Sequence, residues 1–350
     1  MDYINKSTLQ AANRDTLQAA DKSTLQAANR DTLQAADRDT LRVTYGDFTL
    51  GVHGEGFDYI FSYAQGGLES IVKNGYEWLY RCPKPTFWRA LTDNDRGSKF
   101  HIKSGSWLAA DMFMDCKDVE VVMDGISQGK PCAPDNNRYG GDVKAKEILV
   151  KYTYETITTP STVVDVTYTV KGSGKIVVDV HYAGVKGLPQ LPVFGMRFIM
   201  PTLADQYIYQ GLSGETYPDR KAGALEGVYE IRDLSLTPYL VPQECGMRMD
   251  TEWVEITRHT SLDNSRKDGS AEVFRIEKID EKFAFSCLPY TAEEIENAAH
   301  HEELPPARRT VLCVYGAVRG VGGIDSWGSD VEDAYQISAE EDITYSFAIS

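Results

Sequence analysis

None of the six cysteines, Cys82, Cys116, Cys132, Cys245, Cys287 and Cys313, belongs to a C-x-x-C pair, and none stands beside a histidine at zinc-ligand spacing. That excludes the common thiol metal and redox motifs. No apolar run approaches the roughly 20 residues of a membrane-spanning helix. The opening Met1-Asp2-Tyr3-Ile4-Asn5-Lys6 lacks the apolar core of a secretory signal. Basic residues are in deficit: 36 Lys plus Arg stand against 52 Asp plus Glu, a formal charge of -16. So acidic a surface repels phosphate backbones and anionic lipid, which sets nucleic acid and membranes aside as partners. The expectation is a cytoplasmic protein with reduced thiols. What is present is ordinary globular composition, 350 residues of which 42% are hydrophobic, enough to bury a sizeable core.

The first forty residues are a repeat. Lys6-Ser-Thr-Leu-Gln-Ala-Ala-Asn13 is followed by Arg14-Asp-Thr-Leu-Gln-Ala-Ala-Asp21; the pair recurs over 22–37, and Arg38-Asp-Thr-Leu41 closes the run. Eight residues advance an α-helix by about 80° beyond two turns, so the leucines spiral instead of forming a stripe. One leucine per octad offers too little apolar surface to offset ordering entropy. A disordered or partly helical leader over 1–41 is expected, ahead of one domain over 42–350.

From Val43 the texture is β. Short β-rich runs at Val43–Val52 and Phe57–Tyr63 are punctuated by Gly66-Gly67 and Asn74-Gly75. Strands are expected at 148–154, 163–170, 175–182, 193–200, 206–211, 226–232, 247–258, 272–278, 283–288, 311–318 and 343–349. The best helical signal is Thr291-Ala-Glu-Glu294, a capping box opening a short helix. Many strands without βαβ alternation predict an all-β fold, a large antiparallel sandwich.

Three runs carry possible chemistry. In Phe87-Trp-Arg-Ala-Leu-Thr-Asp-Asn-Asp-Arg-Gly97, the residues Asp93, Asn94, Asp95 and Gly97 read as a tight polar loop, either an Asx-turn network or a cradle for a cation or for sugar hydroxyls. It fails as an EF-hand because position twelve falls on Ser104. In Gly211-Leu-Ser-Gly-Glu-Thr-Tyr-Pro-Asp-Arg220, Glu215 and Asp219 have the chemistry of a glycosidase carboxylate pair, but Asp219-Arg220 reads as readily as a turn held by an ion pair. In Gly320-Val-Gly-Gly-Ile-Asp-Ser-Trp-Gly328, Trp327 is either a flat wall for a pyranose ring or a plug at the end of the sandwich. His300-His301 complement a helix C-terminus, and His181 lies in a strand.

Together these runs, with Pro238-Tyr-Leu-Val-Pro-Gln-Glu-Cys-Gly246 and Leu288-Pro-Tyr-Thr-Ala-Glu-Glu-Ile295, resemble the C-terminal domain of glycoside hydrolase family 2 β-galactosidases, in the form of the separate small subunit of heterodimeric lactobacillal enzymes. The resemblance covers about residues 43–350. It implies a β-supersandwich like that of galactose mutarotase, and retaining hydrolysis of lactose and related β-galactosides with transfer to acceptor sugars. It also implies a large partner subunit whose TIM barrel holds the catalytic glutamates, Mg²⁺ and Na⁺, with no cofactor and no catalytic residue in this chain. Trp327 then lines the substrate pocket, and Asp93 to Gly97 border its mouth. The octad leader is extra to that pattern. Two other classes compete: a stand-alone carbohydrate-binding or structural sandwich, and a mutarotase-like epimerase built around His181.

Overall fold

The computed structural model describes residues 40–133, 143–263, 269–325 and 327–350. The leader over 1–39 lies outside them. Its last leucine does not: Leu41 opens the strand Leu41–Tyr45 and is fully buried. The boundary expected after Leu41 therefore falls inside the first strand.

Among the described residues, three antiparallel sheets build the fold. The largest has ten strands, in the order Glu226–Ile231, Gln206–Leu212, Trp253–Arg258, Glu272–Lys278, Ile343–Ile349, Ile176–Tyr182, Val163–Lys171, Glu147–Glu155, Asp115–Met123 and Ile126–Gly129. Its central strands alternate strictly. Ile148, Val150, Tyr152 and Tyr154 are buried on one strand, and Val164, Val166, Tyr168 and Val170 on the next, with the residues between facing out. One face of the sheet is therefore wet and one packed.

Two smaller sheets cover the packed face. A six-stranded sheet runs Tyr76–Glu77, Gly67–Lys73, Phe57–Ser62, Thr49–Gly54, Leu41–Tyr45 and Val143–Ala145. It meets the ten-stranded sheet through Phe61 and Tyr168, whose ring centroids are 5.8 Å apart. A five-stranded sheet runs Arg248–Thr251, Phe283–Leu288, Thr310–Val318, Val193–Met200 and Arg81–Thr86. It meets the large sheet through Tyr207 and Phe285 at 5.6 Å and Phe198 and Phe347 at 6.1 Å. One continuous core joins all three, the expected all-β supersandwich. Each large side chain buried there stabilises by roughly 1.5–3 kcal/mol. Two buried phenols keep their hydrogen bonds, Tyr59 to the Gly174 carbonyl at 2.6 Å and Tyr154 to that of Gly66 at 2.7 Å, whereas the Tyr168 hydroxyl has no partner among the described residues.

The run Val43–Val52 spans two strands, because the chain turns at Gly46, where the Gly46 amide bonds the Thr49 carbonyl at 2.8 Å. Asn74-Gly75 makes the expected two-residue hairpin, with φ of 51° and 73°.

The five-stranded sheet differs from the others in having both faces buried. Every residue of Phe283–Leu288 is buried. Phe283, Phe285 and Cys287 point to the main core, whereas Ala284 packs with Val311, Cys313, Tyr315, Tyr217 and Met247 on the far side. That far side is roofed by irregular segments, which are the ones bearing the sequence runs singled out above.

Candidate functional site

The run before Gly97 is a helix, not the loop expected. One turn, α1 (Asp93–Gly97), is capped by Thr92, whose hydroxyl accepts from the Asp95 amide at 3.1 Å while Asp95 Oδ2 accepts from the Thr92 amide at 3.0 Å. This reciprocal capping box draws the Asp95 carboxylate inward. A second turn, α2 (Phe100–Lys103), follows.

Asp95 lies between two buried guanidinium groups. Arg89 Nη2 donates to both its oxygens at 3.2 Å, and Arg319 Nη1 to Oδ1 at 3.0 Å. Arg89 also donates to the carbonyls of Arg319 at 3.0 Å and Gly320 at 2.8 Å, and Arg319 pairs with Asp330 and lies 3.9 Å over the Phe100 ring. The carboxylate is 1% exposed, and the arginines and the Thr92 amide occupy it. Asp95 therefore offers no acceptor to a sugar, a correction to its expected role. It ties α1 to the stem of the loop 320–329.

That loop is held at both ends. Arg319 and Asp330 join across its base, and Lys103 Nζ approaches Asp330 to 3.1 Å. Burial works against ionisation of Asp330, but the hydrogen bonds from Lys103 and the Val331 amide, with the Arg319 charge, hold it below the usual carboxylate range. Beyond the stem, Asp219 accepts from the Val321 amide through both oxygens at 3.0 Å and from the Gly322 amide at 2.7 Å. Asn94 Nδ2 donates to the Val321 carbonyl at 3.0 Å, and Arg220 donates to the carbonyls of Gly322 and Gly323. The expected turn at Tyr217–Arg220 is present, closed by the Arg220 amide on the Tyr217 carbonyl at 2.9 Å. The expected ion pair is not: among the described residues none joins Asp219 to Arg220, because both reach across to the glycine loop. Glu215 accepts instead from the Thr237 hydroxyl at 2.7 Å, so it and Asp219 have separate partners and do not form a catalytic pair.

The outer half of the loop is organised by Asp325, which accepts from the Trp327 amide at 2.9 Å and from the Ser329 amide and hydroxyl. Those hydrogen bonds, the Ser329 hydroxyl first, keep its pKa low. Trp327 is 91% exposed, so it plugs nothing; its indole is presented to whatever approaches the loop. Gly97 packs against it from α1: a Cβ on Gly328, at φ +84°, would lie 2.7 Å from the Gly97 carbonyl oxygen. Asp93 is exposed, 3.6 Å from Arg96, and its amide bonds Gln243 at 3.0 Å. Glu296, at the end of the helix α3 (Ala292–Asn297) that Thr291 caps as expected, accepts from the Leu91 amide at 2.6 Å. His301 bonds the Tyr239 carbonyl, and His181 meets Asp342 at 3.2 Å on the surface.

Arg89, Arg319, Asp330 and Glu244 escaped the sequence reading. Glu244 is buried with Tyr217 as its hydrogen-bond donor at 3.4 Å. Burial pushes its pKa up to about 8, with Glu215 and Asp95 adding to the effect and Arg89 opposing it. The signal available was a glutamate inside the Pro238–Gly246 run; nothing marked it as buried. Among the described residues no group of three His, Cys, Asp or Glu is arranged to hold a metal, and no helix is long and apolar enough to cross a membrane.

The chain is 60% identical over 308 residues to a protein named β-galactosidase small subunit from Latilactobacillus sakei, covering 88% of this chain and 97% of that one. It is 34% identical to a β-galactosidase of Halalkalibacterium halodurans and 32% identical to one of Streptococcus thermophilus, in each case over 88% of this chain but only 28% and 27% of the relative. A galactose mutarotase-like protein from Lactobacillus casei aligns over 86% of this chain and 99% of its own at 10% identity, with a TM-score of 0.39, too low to build on. Residues 53–349 match the family described as β-galactosidase small chain, and with the relatives' identity over 88% of this chain, the chain belongs to that family.

Proposed function

We propose that this chain is the small subunit of a two-chain retaining β-galactosidase acting on lactose and related β-galactosides in the cytoplasm, and that its site is completed by a large subunit. The observation that carries this is one of lengths. The chain accounts for nearly all of a named small subunit and little more than a quarter of longer β-galactosidases. On this reading the remaining three quarters are supplied by the large subunit.

The chemistry agrees. A retaining glycosidase needs an acid and a nucleophile about 5 Å apart, whereas the carboxylates around this loop are taken up by arginines, backbone amides and their own turn. The acid/base glutamates, with Mg²⁺ and Na⁺, belong by family resemblance to the large subunit's TIM barrel. This chain's residues bind and exclude water. Trp327 presents an indole face to the apolar C–H face of galactose, and Asp93 and Asn94 border the mouth beside it.

Two measurements test this. The purified chain should not hydrolyse a chromogenic β-galactoside, with or without Mg²⁺, and co-expression with the large subunit should restore activity in one complex. In that complex, Trp327→Leu should raise KM for lactose roughly ten-fold, the loss of about 1–2 kcal/mol of stacking, while the pH profile stays unchanged. Hydrolysis by the chain alone would refute the shared site. A soluble chain that binds galactosides but forms no complex would favour the stand-alone sandwich.

A further inference from the structure

We propose that Asp219 is a positioning residue for Trp327, fixing the glycine-rich half of the loop from which the indole is presented. The inference rests on the reading of Trp327 as a wall of the sugar pocket, and gives the run Gly211–Arg220 the role that no carboxylate pair supplies.

Successive backbone N–H groups that converge on one point form an anion-accepting concavity. In the loop 320–329 the amides of Val321 and Gly322 converge in this way, and the chain's own Asp219 fills the site at 2.7 and 3.0 Å. Three features make the fit specific. Asp219 sits in a turn closed from both sides between Tyr217 and Arg220, so its carboxylate starts from a fixed place. Gly320 leaves room for it, since a Cβ there would lie 2.7 Å from Asp219 Cγ. Gly322 and Gly323, at φ +69° and +78°, adopt the left-handed backbone that turns their carbonyls to Arg220. With Asn94 on the Val321 carbonyl, residues 321–323 are gripped from both α1 and the 217–220 turn. Ile324 and Trp327 beyond them are exposed, and on this proposal the grip on 321–323 sets where the outer half that Asp325 organises stands. Without the grip, the cost of ordering the loop falls on sugar binding, not on bond cleavage. The expected signature is therefore a KM effect that disappears once the indole is gone.

Hydrogen exchange on the full chain reads the grip directly. In Asp219→Ala the Val321 and Gly322 amides should exchange at least about ten-fold faster while the sheet amides are unchanged, and Asp219→Asn, which keeps one acceptor oxygen, should fall between. In the complex with the large subunit, Asp219→Ala should raise KM for lactose roughly five-fold with kcat and Tm near wild type. Asp219→Ala combined with Trp327→Leu should be no worse than Trp327→Leu alone. Unchanged exchange, multiplying KM effects in the double variant, or a normal KM with a Tm lowered by several degrees would overturn the assignment. Faster exchange with KM unchanged in both single variants would uphold the positioning of the loop and refute the sugar-wall reading of Trp327.

Discussion

Asp95→Ala removes the carboxylate shared by Arg89 and Arg319, both almost completely buried. Breaking a buried pair from one side costs about 3–5 kcal/mol, because the partner's charge is left unpaired. Here the lower figure applies. Arg89 keeps the carbonyls of Arg319 and Gly320, and Arg319 keeps Asp330. Loss of half the α1 capping box adds roughly 0.5–1 kcal/mol. The sum is about 4 kcal/mol, and at about 2 °C per kcal/mol for a large domain it lowers Tm by roughly 8 °C. Asp95→Asn preserves an acceptor and the shape and should lose about half as much. The exposed neighbour is the control, since Asp93→Ala should stay within about 0.5 kcal/mol. Urea unfolding of the purified chain measures all three, and 0.5 M NaCl should not reduce the Asp95 effect, because a buried group is little screened. A loss below about 1 kcal/mol for Asp95→Ala would refute the hub. So would a raised KM with normal stability, which is the behaviour of a sugar ligand.

Glu244 makes stability depend on pH. Its pKa rises from the ordinary 4.5 to about 8, so the stability gained by keeping it neutral is fully present below about 4.5 and is lost as pH rises through about 8, at up to about 1.4 kcal/mol per unit. Glu244→Gln should therefore lose less Tm than wild type between pH 5 and pH 8, and parallel curves for the two proteins would refute the burial argument. Removing residues 1–39 should leave Tm nearly unchanged, whereas Leu41→Ala should cost about 2–5 kcal/mol. A truncation that lowers Tm by several degrees would mean that the octads pack on the domain.

The strands were legible where local pattern and burial agree. Alternation marked Ile176–Tyr182, and a strand was expected at Phe283–Leu288, whose burial on both faces only the structure shows. Asp124-Gly125, which turns Asp115–Met123 into Ile126–Gly129 with φ of 47° and 80°, carried a hairpin signal that went unread. So did Thr92 and Asp95, whose spacing matches the capping box recognised at Thr291 and Glu294. The sequence by itself determined the all-β class, the strands from residue 147 onward, the α3 cap and, through five runs in family order, the family; the strands Arg81–Thr86 and Asp115–Met123 were not marked. Only the tertiary structure decided that Asp95 turns inward, that Trp327 stands out, and that Asp219 and Arg220 serve the glycine loop and not each other. Beside the local capping box, the contacts from Arg319 to Asp95 and from Asp219 and Arg220 to the glycine loop join residues 102 to 224 positions apart. Hydrogen bonds of that span depend on which irregular segments the five-stranded sheet brings over its outer face, and local spacing along the chain carries no record of that approach.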